Sequence, residues 1–393
     1  MALAPWKVRL TADGPGTLTA VHATIELVDR AKLELGVLIS GEAGIQNFAG
    51  TTSTWGYNDP DEPFDWWTGV SANGGIVAAV RYEPATVVAL SPTGSLLWET
   101  AITAGSGVDV AAGADGSVYV VTEGPARVYK FDPSGTQVWF YEFSTGSNDG
   151  TNARVAVSPS GEVAVLTSGP TNYVAVLNPN GTIKWQVDLD TFTVQAGAFP
   201  TLAGEGSILI DTAGNVIFGS SDRTVRKLAA ADGTLQWQTT LSGSGGFADY
   251  VYGLAFHQDG FVAGQGTSVF YLGADGTLVD SVDVGHGMFR VVSDGTRVYV
   301  LDPGGSSGGT LTVLLGTSIE YSFEHTNPFA YGLAVPSQSP PAAPSDPDDP
   351  DPGDPDPDPD PLSLGDLDDV TLTGPQDGDA LRLSGATWEN QPL

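Results

Sequence analysis

A chain of 393 residues, 41% apolar and 9% aromatic, carries enough material for a large buried core, which excludes disorder of the whole. Against 15 Lys and Arg stand 47 Asp and Glu, a formal net charge of −32. That field excludes nucleic acid and anionic membrane surfaces as partners, because Lys and Arg must displace their counterions, and the absence of cysteine excludes disulfides, thiolate nucleophiles and Cys-based zinc sites.

Gly (51) and Pro (27) are abundant and long Ala-Leu-Glu-Lys runs are scarce, so many short strands joined by tight turns are expected, with very little helix. The only lysines are Lys7, Lys32, Lys130, Lys184 and Lys227. A halophilic habitat explains so acidic a surface, and so does lineage bias. The opening "MALAPWKVRLTADG" lacks a charged region followed by an apolar one, and no apolar run approaches the roughly 20 residues of a spanning helix. The chain is expected to be made in the cytoplasm without a signal peptide or membrane insertion.

Residues 1–50 form an N-terminal β segment in which "HATIELVD" and "AKLELGVLISG" have strand character. Next comes an irregular stretch, "TSTWGYNDPDEPFDWWTG", residues 52–69. It sets Trp55, Tyr57, Trp66 and Trp67 beside Asp59 and Asp61, the mixture a sugar-binding surface uses: rings stack on apolar sugar faces and carboxylates accept from hydroxyls. The same rings would equally plug the end of a β domain while the acids face solvent.

From there to residue 338 the chain repeats itself. Turn glycines stand at Gly94, Gly135, Gly181, Gly233 and Gly276, with a degraded copy at Gly316, and Trp98, Trp139, Trp185 and Trp237 follow the first four by four residues. Asp280 and Glu320 take that place where the motif decays. A second set, Gly75, Gly116, Gly161, Gly214, Gly260 and Gly295, precedes the first in each unit. Two Gly-centred turns among β-branched runs make a four-stranded antiparallel meander, and units of 40 to 52 residues predict an all-β propeller. Glycine supplies the positive φ of the turn, and each tryptophan is expected to pack between blades.

"VVALSPTGSLLWETAI" and "VYKFDPSGTQVWFYEF" resemble the blade repeat of quinoprotein-type (PQQ-like) propellers, over roughly residues 65–335. The chain departs from that family in having turns one residue shorter and no cysteine pair to lie over the quinone, so no cofactor is expected. First strands are read at "TGVSANGG", "GVDVAAGADG", "ARVAVSPSG", "SILIDTAG", "YGLAFHQDG" and "FRVVSDG", and a seventh at "YGLAVPSQS" has no blade after it. Either the N-terminal strands complete a seventh blade, or six blades stand beside a separate N-terminal unit.

Residues 339–361, "SPPAAPSDPDDPDPGDPDPDPDP", alternate Asp with Pro over most of their length and are expected to form an extended spacer of about 3.1 Å per residue. Residues 362–393 regain apolar anchors, with a turn around Gly374–Gly378. This segment is similar to a short module of structural proteins of tailed phages and archaeal tailed viruses. Leu364, Asp366, Leu367, Asp369, Val370, Asp377, Gly378, Leu381 and Trp388 carry the match, with Leu364, Leu367, Val370 and Trp388 as the assembly anchors. The resemblance implies a virion tail or fibre component whose partners are other virion proteins, a host glycan or protein receptor, or further copies of itself.

No HExxH, Walker A, EF-hand or GxSxG motif occurs, and no metal site is expected. The four histidines, His22, His257, His286 and His325, are not spaced as metal pairs and are expected in turns or on the surface. The expected function is non-enzymatic host attachment or protein docking; the alternatives are a virion glycan hydrolase and a cellular propeller scaffold without cofactor.

Overall fold

The computed structural model describes residues 36–58, 66–73, 75–144, 153–167, 173–189, 208–220, 222–243, 250–288, 290–302, 304, 306 and 308–335, and the backbone of 370–371, 380–384 and 387–391. Seven four-stranded antiparallel sheets form the blades of a propeller. Their innermost strands are Trp67–Asn73, Ser106–Ala112, Arg154–Val157, Ile208–Ile210, Val251–His257, Arg290–Ser293 and Gly332–Ala334, the seven read from sequence.

The last inner strand settles the closure. Gly332–Ala334 pairs antiparallel with Val37–Gly41, with Ile39 opposite Leu333 and Ser40 opposite Gly332. Gly44–Ala49 and Thr52–Tyr57 complete that sheet. Both ends of the ring thus share one blade, which removes the open edges of an unclosed sheet. The separate N-terminal unit is thereby corrected: Val37–Tyr57 is the first blade, and it crosses the boundary drawn at residue 50.

Each blade is apolar on both faces because each face meets a neighbour, so the middle strands read as unbroken β-branched runs. Val163–Thr167 and Tyr173–Leu177 are buried throughout. Between the second and third blades, Val80, Val87, Val110, Val120, Tyr129 and Phe131 make one cluster, and similar clusters fill the other seams. All seven blades carry a register shift beside the turn into the outer strand. The turn glycines there have φ between 58° and 84°, the left-handed residue of a glycine β-bulge. In the turn from inner to second strand, Gly75, Gly116, Gly161, Gly214 and Gly295 of the second set likewise have φ between 78° and 86°, but Gly260 does not share their role. It opens a second strand, and the left-handed residue of that hairpin is Gln258 at φ 49°.

The C-terminal residues cluster separately from the ring unit, Asp29–Ala343. There, Thr387–Gln391 lies between Val370–Thr371, parallel to it, and Ala380–Ser384, antiparallel.

Candidate functional site

The repeated tryptophans lie on outer strands and lean on the next blade. Trp98 lies over Gly135, Trp139 over Gly181, Trp185 over Gly233 and Trp237 over Gly276. A Cβ added at Gly135 would stand 2.7 Å from the Trp98 ring, so the glycine is required for the approach as well as for its φ of 84°. The indole Nε1 of Trp98, Trp139 and Trp185 donates to the carbonyls of Pro133, Pro179 and Ala230, at 3.0 to 3.1 Å. Each ring therefore contributes apolar area and one oriented hydrogen bond across a seam.

Trp55 belongs to this series. It covers Gly94, and its Nε1 donates to the Pro92 carbonyl at 3.1 Å. Sequence reading placed it in the aromatic platform because it follows its own turn glycine, Gly50, by five residues rather than four. Gly316 and Gly50 face open space, since Asp280 and Glu320 replace the tryptophan on the preceding blades. At Gly316 the Tyr271 hydroxyl takes over and donates to the carbonyl.

The other members of the expected platform part company. Trp67 is 1% exposed and packs edge-on against the half-buried Tyr57, ring centroids 5.9 Å apart, in the core between the first two blades. Asp59 and Asp61 lie outside the described residues. Only Trp66, 44% exposed, presents its ring to solvent.

Along the axis, a cavity of about 380 Å³ is lined by all seven inner strands. Its walls are mostly Val, Ala and Leu, and its charged residues are Asp109, Arg154 and Arg290. All three cap strand edges: Asp109 Oδ2 accepts from the Val155 amide at 3.1 Å, Arg290 Nε donates to the Tyr331 carbonyl at 3.1 Å, and Arg154 Nη1 donates to the Ala153 carbonyl at 2.8 Å. Smaller side chains do the same elsewhere; Ser71 Oγ accepts from the Ala112 amide and Thr68 Oγ1 donates to the Gly107 carbonyl. Innermost strands have no fifth strand to pair with, so these groups satisfy the edge that faces the channel.

His257 and His325 are buried, which corrects their expected surface placement. His257 Nδ1 is 2.8 Å from Ser293 Oγ on the next blade, and His325 Nε2 is 3.2 Å from the Asp302 carbonyl. Burial pushes the pKa of both below the usual histidine range. His286 is half-buried, its Nε2 2.8 Å from Thr312 Oγ1, and His22 lies outside the described residues. No group of three or more metal-ligating side chains occurs among the described residues.

Sequence reading missed a cluster at the end of the ring where the inner strands begin. Tyr82, in the turn after Ile76–Arg81, donates its hydroxyl to Glu123 Oε1 on the third blade. The Ser106 side chain hydrogen-bonds the same hydroxyl. Burial first, and then the Glu123 carboxylate, push the phenol up to about 12, so Tyr82 stays protonated. Trp66 lies against its ring, centroids 6.0 Å apart and planes at 41°. Tyr82 and Glu123 are distant in sequence and share no motif, so only the blade geometry joins them.

In the tail, Val370 lies opposite Trp388 and Leu381 opposite Asn390, while Leu364 and Leu367 fall outside the described residues.

No curated protein matches the chain. Among solved structures, BamB from Moraxella catarrhalis is similar at 16% identity, over 75% of this chain and 88% of that one, with a TM-score of 0.47. A streptogramin B lyase is similar at 13% identity, over 68% of this chain and 86% of that one, with a TM-score of 0.53. Identities this low speak for the fold alone. The PQQ-type repeat model described as outer membrane protein assembly factor BamB matches residues 48–145 and 124–287, more than half of the sequence and most of the ring, and the chain belongs to this family of PQQ-type β-propellers.

Proposed function

We propose that the protein is a non-enzymatic structural component of a tailed virus, in the tail or a fibre, whose propeller is displayed for host attachment or protein docking. One observation carries the reading: the ring consumes the chain only as far as Ala334, its last paired strand residue, yet a second small sheet follows far downstream. A ring closed by its own ends needs nothing more for stability, so the remainder has a separate task. The Asp/Pro run between them suits a spacer, and the sheet spanning Val370 to Gln391 is too small to bury a core alone, which favours assembly with other virion proteins or with further copies of itself. The tailed-virus assignment rests on the resemblance of residues 362–393. The BamB description belongs to an assembly factor, and a docking propeller is in keeping with it.

Immunogold electron microscopy of purified particles, with antibody against residues 60–335, tests the reading. Label on tails or fibres is expected, and its loss is expected when the chain ends at residue 361. Protein free in cell extract and absent from particles refutes the virion assignment. Turnover of a host polysaccharide by purified protein refutes the non-enzymatic one.

A further inference from the structure

We propose that Trp66, Tyr82 and Glu123 form a binding platform for a neutral pyranose sugar at the inner-strand-start end of the ring, across the second and third blades. The inference rests on the reading of the ring as a displayed docking domain and names the chemistry that it docks.

Topology brings the three together. Trp66 immediately precedes the inner strand Trp67–Asn73, Tyr82 stands in the turn between Ile76–Arg81 and Thr86–Leu90, and Glu123 ends the strand Val118–Glu123 of the neighbouring blade. Inner strands begin, and second strands end, at the same end of every blade, so the three side chains share one rim. The Trp66 carbonyl accepts from the Tyr82 amide at 2.8 Å, which fixes the backbone beneath the indole.

The indole is placed unlike the chain's other docked tryptophans. Trp55, Trp98, Trp139, Trp185 and Trp237 lie on turn glycines and Trp67 is in the core, whereas Trp66 keeps 44% of its surface in water. The remaining large exposed apolar side chains lie chiefly on outer strands, including Leu97, Val138, Phe140 and Val279, away from this rim. An exposed flat ring is a poor hydrophobic plug and a good stacking surface for the axial C–H face of a pyranose.

Polar groups stand at its border. Ser106 and Tyr82 form a hydrogen-bonded row that ends on Glu123 Oε1, so the carboxylate is held in place, and its second oxygen is the acceptor this proposal assigns to a ligand hydroxyl. The same row keeps Tyr82 from rotating away, so little side-chain entropy is lost on binding. Charge selects within the sugars: Glu123 bonds Tyr82, Glu83 acts on the same hydroxyl electrostatically and the chain carries −32, so uronates, sialylated and sulfated glycans are repelled while neutral, hydroxyl-rich ones are not.

The test uses the full chain on an array of neutral oligosaccharides of glucose, galactose, mannose and N-acetylglucosamine, beside uronate, sialylated and sulfated arrays. Binding to at least one neutral class is expected. Trp66→Ala should weaken it roughly tenfold or more, Trp66→Phe should restore most of it, and Glu123→Gln, which keeps an acceptor for Tyr82, should weaken it severalfold. Unchanged thermal midpoints show that the variants fold. Equal binding by parent and Trp66→Ala, binding confined to acidic glycans or to a protein receptor, or no binding on the neutral array overturns the proposal. Particle labelling is read separately: label without sugar binding sinks the platform alone, and sugar binding without label sinks the virion reading alone.

Discussion

Gly135→Ala and Gly116→Ala separate the two demands that the repeat makes on glycine. Both residues have a positive φ, 84° and 79°, so alanine at either costs about 1–2 kcal/mol of backbone strain. At Gly116 the new Cβ meets nothing nearer than Pro133 Cγ at 3.5 Å, an ordinary contact. At Gly135 it meets Trp98 Cδ2 at 2.7 Å and Cε3 at 2.8 Å, so the indole must lift from the seam. Half-burial of a tryptophan hides on the order of 100 Å² of apolar surface, worth ~2.5 kcal/mol. Its Nε1 bond to Pro133 adds about 1 kcal/mol net. With partial relaxation, Gly135→Ala should cost about 2 kcal/mol more than Gly116→Ala, a lower melting temperature by roughly 4 °C, read by circular dichroism under one buffer and scan rate. In a Trp98→Ala background the excess should vanish, because the atom that clashes is gone. Equal costs for the two glycines, or an excess that survives in the Trp98→Ala background, would refute ring docking as the reason for the repeat.

Three further outcomes are expected. A chain ending at Ala343 should keep the parent's melting temperature for the ring, whereas one ending at Tyr331, which loses the strand opposite Val37–Gly41, should fail to fold cooperatively or melt far lower. Asp222 bonds Ser220, Thr224 and the buried Arg226, and those partners, Arg226 foremost, hold its carboxyl at about 2 against the drag of burial. Its stabilisation is present above pH 3.8 and lost as pH falls towards 2; Asp222→Asn should cost about 2 kcal/mol at neutral pH, after discounting the exposed edge of the carboxylate, and flatten that acid limb in denaturant titrations. His257 and His325 have depressed folded pKa values, so the unfolded chain takes up protons first as pH falls through 6.5, and stability should decline from there downwards. His257→Asn, which keeps a partner for Ser293, should reduce that slope, as measured by denaturant midpoints between pH 7 and 5.

The periodic part of the molecule was legible because every blade solves the same problem. A tight turn needs a left-handed residue, a seam needs a wide apolar side chain, and both recur wherever the strands do, so Gly94 to Gly276 and Trp98 to Trp237 announce themselves. Trp55 escaped the series through one extra residue between turn and ring, and Gly260 entered it falsely because "DG" also stands where Gln258 takes the turn. Seven inner strands could be read, but the number of blades could not. Only the pairing of Leu333 with Ile39, almost 300 residues apart, decides between six and seven, and no local pattern encodes it.

The same reasoning explains why the end faces were hard to read. A blade interior imposes one requirement on each residue, so composition and spacing suffice there. On the rim, chain from different blades meets at positions set by the ring alone. "WW" at 66–67 looks like a single feature, yet successive side chains of an extended segment point opposite ways. Trp67 turns into the seam with Tyr57, and Trp66 turns out to Tyr82. Packing of the third blade on the second then sets Glu123 beside Tyr82, which brings together a tryptophan, a tyrosine and a carboxylate spread over 58 residues. None of these three side chains takes part in the docking of one blade's tryptophan on the next blade's glycine, and Trp66 in particular can change without touching that contact. Stability and recognition are thus carried largely by different residues: substitutions at Trp66 should alter what the ring binds and leave its melting temperature where it was, whereas substitutions at Trp98 or Gly135 should do the reverse, and Glu123, which accepts from Tyr82 across a seam, contributes to both.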